Sequence, residues 1–163
     1  LQSFRQNKEH EVRKQCRRKI WSTDIDVIAH AIAGAAITDK ASLNKLRLAE
    51  LSALEAMRMG QGTVDDWRML VDLMNICETF AKSGIGPEAL PDCKLAQESL
   101  HKAALRYEAT ERMGLDGQGI KALQNVREWH DLQRTSVARS VYERMIEKTR
   151  NNIRSHGKDV VVI

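Results

Sequence analysis

The stretch Thr63-Val64-Asp65-Asp66-Trp67-Arg68-Met69-Leu70-Val71-Asp72-Leu73-Met74-Asn75-Ile76-Cys77-Glu78-Thr79-Phe80-Ala81-Lys82-Ser83 decides the fold. Asp65, Arg68, Asp72, Asn75, Thr79 and Lys82 recur at steps of three and four, a thin polar stripe, while Trp67, Leu70, Val71, Leu73, Met74, Ile76, Cys77 and Phe80 occupy the remaining positions. That period is helical, and so wide an apolar arc is buried on several sides at once. The segment 64–83 therefore predicts the central helix of an all-α bundle. Thr63 supplies its N-cap, with Asp66 at the capping-box position where Glu or Gln is usual. Cys77, on the apolar arc, reads as a small core hydrophobe.

Working outward, residues 42–59 form a preceding helix with Leu43, Leu46, Leu51, Leu54 and Met57 apolar, closed by Gly60 as a left-handed cap. Ahead of it, Ser22, Thr23 and Asp24 offer N-cap chemistry for a helix over Ile25–Ile37, whose stripe of Ile25, Ile28, Ala29, Ile32, Ala33 and Ala36 is narrow and made largely of small residues. A basic segment over residues 3–20 carries Val12, Cys16 and Ile20 at steps of four. After the central helix, Gly84, Gly86 and Pro87 stop the chain, Pro91 and Asp92 restart it, and Leu95, Leu100, Ala103, Ala104 and Tyr107 continue the pattern to Met113. A helical pattern then runs from Ile120 to Ile153, about 50 Å if unbroken. The polar run Gln133-Arg134-Thr135-Ser136 interrupts it, so this long C-terminal helix is expected to bend there or to project beyond the body.

The expected architecture is an all-α, up-and-down antiparallel bundle of about five helices. It divides into a basic N-terminal segment (1–21), the bundle (22–153) and a flexible tail (154–163). Arg58-Met59-Gly60 and Arg112-Met113-Gly114 are identical triplets, each read as ending a helix, which raises an internal duplication of helix pairs.

Composition narrows the function classes. With 42% hydrophobic and 29% charged residues, two prolines and 4% aromatics, the chain is neither disordered nor a β protein. Its longest apolar stretch, Ile25–Ile37, contains Asp26 and His30 and is too short for the ~20 apolar residues of a spanning helix. Three cysteines, Cys16, Cys77 and Cys93, fit neither a disulfide framework nor a zinc pattern. A soluble protein of a reducing cytoplasm, without a secretory leader, is expected.

Charge is segregated. Residues 1–20 hold seven basic side chains against two acidic, residues 134–158 the same, and residues 21–133 hold twelve against seventeen. Arg13, Lys14, Arg17 and Arg18 at one end, and Arg144, Lys148, Arg150 and Arg154 at the other, could contact a phosphate backbone without reading sequence. The same segregation would let the ends pair with the acidic body of this or a neighbouring chain.

Signatures of chemistry are sparse. Gly114-Leu115-Asp116-Gly117-Gln118-Gly119 lacks the Lys-Ser/Thr and the preceding strand of a phosphate loop, and reads as a turn. Glu98 and His101 form a single ExxH, whereas a di-metal bundle needs two and further glutamates. Glu128-Trp129-His130-Asp131 gathers a histidine, acids and an aromatic ring, but consecutive helical residues do not face one another, and a partner from another helix is required. No catalytic residue, metal or cofactor is assigned.

The stretch from Leu43 to Arg144, with Asp66-Trp67-Arg68, Gly84-Ile85-Gly86-Pro87-Glu88-Ala89-Leu90 and Glu128-Trp129-His130-Asp131, resembles small uncharacterised proteins that accompany proteobacterial prophages and plasmids. The resemblance implies only an accessory role in a mobile element, and no activity, cofactor or site residue is carried over from it. From the residues, the leading expectation is a non-enzymatic helical interaction protein, a homo-oligomer or partner of another protein, that self-associates through Ile25, Ile28, Ala29, Ile32 and Ala33. A sequence-independent nucleic-acid binder using both basic ends is the alternative, and a helical enzyme with an unrecognised site the third.

Overall fold

The computed structural model describes residues 40–156, together with the backbone of two short segments, Lys19–Ile20 and Val160–Val161. Five α-helices occupy the described residues: α1 (Lys40–Arg58), α2 (Val64–Lys82), α3 (Leu90–Thr110), α4 (Gly117–Ser136) and α5 (Arg139–Ser155), with a 3-10 turn over Pro87–Ala89. The expected all-α bundle is the fold. The predicted helix over Ile25–Ile37, its stripe Ile25, Ile28, Ala29, Ile32 and Ala33, and the basic residues Arg13, Lys14, Arg17 and Arg18 lie outside the described residues.

α2 is the centre, packing against α1, α3, α4 and α5. Its start follows the sequence reading: the Thr63 hydroxyl accepts from the Asp66 N–H at 3.1 Å, and the Thr63 N–H donates to the Asp66 carboxylate at 2.8 Å. Asp thus closes a capping box that Glu ordinarily closes. Burial goes further than the apolar arc, since Asp72, Asn75 and Thr79 of the polar stripe are also enclosed. Thr79 Oγ1 donates to the Asn75 carbonyl at 2.9 Å and accepts from Thr149 Oγ1 of α5 at 2.8 Å, so this part of the stripe is an interior contact.

The main core joins Met57 of α1, Trp67, Leu70 and Met74 of α2, Leu100 of α3 and Leu123 of α4. Trp67 has no exposed surface, and its indole N–H donates to the Leu100 carbonyl at 3.0 Å. A buried indole thereby keeps its one donor satisfied. A second apolar cluster, Ile76, Phe80, Tyr142, Met145 and Ile146, fastens α5 to α2. Full burial of such side chains is worth about 1.5–3 kcal/mol each relative to exposure.

The C-terminal helical pattern resolves into two helices rather than one projecting rod. Thr135 Oγ1 donates to the carbonyls of Asp131 and Leu132, and Ser136 Oγ to that of Gln133. These hydroxyl bonds compete for carbonyls at the helix end. Val137 (φ −119°, ψ 157°) and Ala138 (φ −70°, ψ 153°) are then extended, and α5 folds back so that Tyr142, Met145, Ile146, Thr149 and Ile153 are buried. Beyond α5, Val160–Val161 pairs in parallel with Lys19–Ile20, with Lys19 opposite Val160 and Ile20 opposite Val161. In this two-residue pair, β1 is Lys19–Ile20 and β2 is Val160–Val161, and β1 lies against α2 and α3.

The two Arg-Met-Gly triplets meet but are not equivalent. In the first, Arg58 is the last residue of α1, Met59 is 57% exposed, and Gly60 takes the left-handed conformation at φ 69°. In the second, α3 has already ended at Thr110 with Glu111 left-handed at φ 55°, and Met113 is 1% exposed. Gly114 does not close α3, as the sequence had suggested. It sits where the two turns cross: the Gly62 N–H donates to the Met113 carbonyl and the Leu115 N–H to the Met57 carbonyl, each at 3.1 Å. A Cβ on Gly114 would stand 3.0 Å from Gly60 Cα. The same three residues thus serve different backbone roles.

Candidate functional site

Two clusters of polar side chains and one exposed apolar face are the arrangements from which function can be read. The first cluster lies between α1 and α4. Arg134, with no exposed surface, donates to both carboxylate oxygens of Glu50 at 2.7 and 3.1 Å and to Asp131 Oδ1 at 2.9 and 2.7 Å. Asp131 in turn accepts from Arg47 Nε and Nη2, at 2.8 and 2.7 Å. The chain Glu50, Arg134, Asp131, Arg47 runs from the interior to the half-exposed rim. The Glu50 carboxyl is raised above its ordinary range by burial, against the pull of Arg134. Asp131 also feels burial, yet hydrogen bonds from Arg47 and Arg134 prevail and hold it down at about 2. Arg134 is desolvated, but Glu50 and Asp131 keep its guanidinium protonated.

This cluster corrects the reading of α1. Leu51, one of the apolar positions of the helical pattern, is 43% exposed, and Glu50 is inward at 3%. Glu50 takes that place because Arg134 awaits it from α4. A buried arginine without an acid partner would be far more costly. Arg134, counted from sequence among the basic end, therefore contributes no surface charge.

The second cluster surrounds His130. The required partner from another helix is Tyr142 of α5, whose hydroxyl lies 2.9 Å from His130 Nε2, and Gln133 Oε1 stands 3.4 Å from Nδ1. Phe80 packs against both rings, at centroid distances of 6.0 Å from His130 and 5.5 Å from Tyr142. Gln133 Nε2 donates to the Ile85 carbonyl at 2.9 Å, tying the cluster to the turn after α2. Burial, with the Arg134 charge nearby, lowers the His130 pKa to about 3, and burial raises that of Tyr142. Histidine is thus a neutral imidazole and tyrosine a neutral phenol, both sealed from solvent. That arrangement locks α5 to α4.

Cys77 and Cys93 are buried in the main core, and contact with the Cys93 thiol together with burial raises the Cys77 pKa. Glu98 is exposed and His101 half-buried on α3. Among the described residues, no group of three or more His, Cys, Asp or Glu side chains could hold a metal ion, and no helix is long and apolar enough to cross a membrane.

Arg144, Lys148, Arg150 and Arg154 fall on α5 together with Arg139, but several are engaged. Arg150 pairs with Glu147 at 3.6 Å, Arg139 with Glu143 at 2.7 Å, and Lys148 Nζ donates to Ser83 Oγ at 2.9 Å. Arg144 and Arg154 are exposed and carry no ion pair among the described residues.

The exposed apolar face was not anticipated. Leu48 at 67%, Leu51 at 43% and Met59 at 57% lie along one side of α1 and just past its end. Leu105 on α3 and Leu132 on α4 are the other large apolar side chains exposed among the described residues. A helical wheel of residues 40–59 would have revealed the face, had Glu50 been assigned inward. Compared with protein-family models, curated proteins and solved structures, the chain matches none.

Proposed function

We propose that this chain is a non-enzymatic helical interaction protein that self-associates, serving as a cytoplasmic accessory protein of a mobile element. The observation that carries the reading is the α1 face of Leu48, Leu51 and Met59. Grouped exposed apolar side chains favour a protein partner, whereas single ones are ordinary. The polar clusters support a binding role over catalysis, because Glu50, Arg134, His130 and Tyr142 are spent on one another inside the bundle. The mobile-element role rests on the sequence resemblance alone.

A second reading, sequence-independent binding to a phosphate backbone, draws support from Arg144 and Arg154, exposed on α5 without an acid partner among the described residues. Light scattering on a sizing column separates the two readings, run over a range of protein concentrations, at low and high salt, with and without an arbitrary DNA duplex. Self-association predicts a mass that rises with concentration, persists at high salt and ignores DNA. A monomer that binds the duplex with affinity falling steeply as salt rises would reverse the order.

A further inference from the structure

Four exposed residues of α1, Asn44, Leu48, Leu51 and Glu55, follow one another at steps of four, three and four, the spacing of a coiled-coil seam. They lie opposite the buried side formed by Leu43, Leu46, Glu50, Ala53, Leu54 and Met57. Lys45 flanks the seam and is exposed as well. Asn44 Oδ1 accepts from Arg47 at 3.2 Å, which leaves its amide hydrogens without a partner among the described residues. Glu55 is held within the chain by Arg58 at 2.7 and 2.6 Å, yet a carboxylate has further acceptor positions.

We infer that α1 pairs antiparallel with α1 of a second copy, about a twofold axis midway between Leu48 and Leu51. This rests on the self-association reading and deepens it. The orientation follows from charge. A parallel, in-register pair would set Glu55 against Glu55 and leave Lys45 about 15 Å along the helix from either carboxylate. The antiparallel pair sets Leu48 against the second copy's Leu51, Asn44 against its Glu55, and brings Lys45 within a residue of the same carboxylate. Each contact is made twice, as an isologous interface requires. From Asn44 to Glu55 the seam is about 18 Å long. That is small beside a standard interface of about 800 Å² per partner, so the dimer is weak and forms at high concentration.

Sedimentation equilibrium of the full chain and its variants tests the pairing. Wild type should dimerise, and Leu48→Glu with Leu51→Glu should be monomeric at every concentration while melting as wild type does, since both sites are exposed. Lys45→Glu and Glu55→Lys should each weaken the dimer about threefold to tenfold, from two exposed pairs lost together, and the double exchange should restore it. Mixed Leu48→Cys and Leu51→Cys chains should form a mutual disulfide under mild oxidation. A dimer that survives Leu48→Glu with Leu51→Glu overturns the α1 pairing but leaves self-association standing. A wild type that stays monomeric overturns both. A monomer that loses stability on the leucine substitutions shows instead that residues of its own chain cover the face, and also overturns the pairing.

Discussion

Arg134 and Glu50 stand 84 positions apart in the chain and meet as a doubly hydrogen-bonded ion pair, the guanidinium with no exposed surface and the carboxylate nearly as buried. They are the interior end of the contact that fixes α1 against α4. Removing one partner strands the other charge, so Arg134→Met should cost about 3–5 kcal/mol in urea unfolding. Replacing both, Glu50→Leu with Arg134→Met, should be less costly than Arg134→Met alone. A double variant as unstable as the sum of the two singles would show that the pair is not coupled as the geometry requires.

His130 predicts an acid sensitivity that begins in a mild range. Its folded pKa, about 3, is below the ordinary 6.5, so the folded state excludes a proton that the unfolded chain accepts. Stability from this group is full above pH 6.5 and declines as pH falls from there toward 3, by about 2 kcal/mol at pH 5. Asp131 acts in the same direction but later, between its ordinary 3.8 and about 2. The His130→Gln variant, less stable at pH 7, should show a flatter stability profile between pH 7 and 4.5. An unchanged slope would mean that His130 is not the group responsible.

Glycine substitutions at the crossing of the two turns should rank by what a methyl group meets. At Gly114 it meets backbone, Gly60 Cα at 3.0 Å and the Met57 carbonyl at 3.3 Å, which cannot yield without moving a turn. At Gly62 it would stand 2.3 Å from Met57 Sδ and 3.1 Å from Met57 Cγ, in a side chain with no exposed surface into which to move. Gly114→Ala should therefore lower stability by about 1–3 kcal/mol, and Gly62→Ala by at least as much, as thermal melting would show. Either variant melting as wild type does would contradict the crossing.

Cys77 and Cys93 should resist alkylation in the folded protein. Both are buried, and contact with Cys93 together with burial disfavours the reactive Cys77 thiolate. Peptide mass spectrometry after iodoacetamide should find the two modified only once denaturant unfolds the chain. Rapid labelling of either under native conditions would place it outside the core.

What could be read in advance was whatever a single helix dictates. The arc of α2, its Thr63–Asp66 cap and the turn at Gly84 to Pro87 depend on neighbours three or four residues away, and all appear as expected. What escaped depended on distant partners. A leucine and a glutamate side by side in α1 suggest the leucine inward, and only Arg134 arriving from α4 inverts that choice. The same arginine made the run Gln133 to Ser136 look like a solvated interruption, although Gln133 and Arg134 are among the most buried polar residues. Identity of three letters likewise misled at Arg-Met-Gly, because the position of each triplet relative to its helix end determines the backbone it adopts.

The central position of α2 has a consequence on the ribosome. The α5 side chains that cover Phe80, Ile76 and Thr79 are made about 70 residues after them, several seconds at about 5–20 residues per second. During that interval one side of the most apolar helix is bare. The nascent chain is then at its stickiest, and a chaperone, or a neighbouring chain on the same messenger, has its opening before α5 closes.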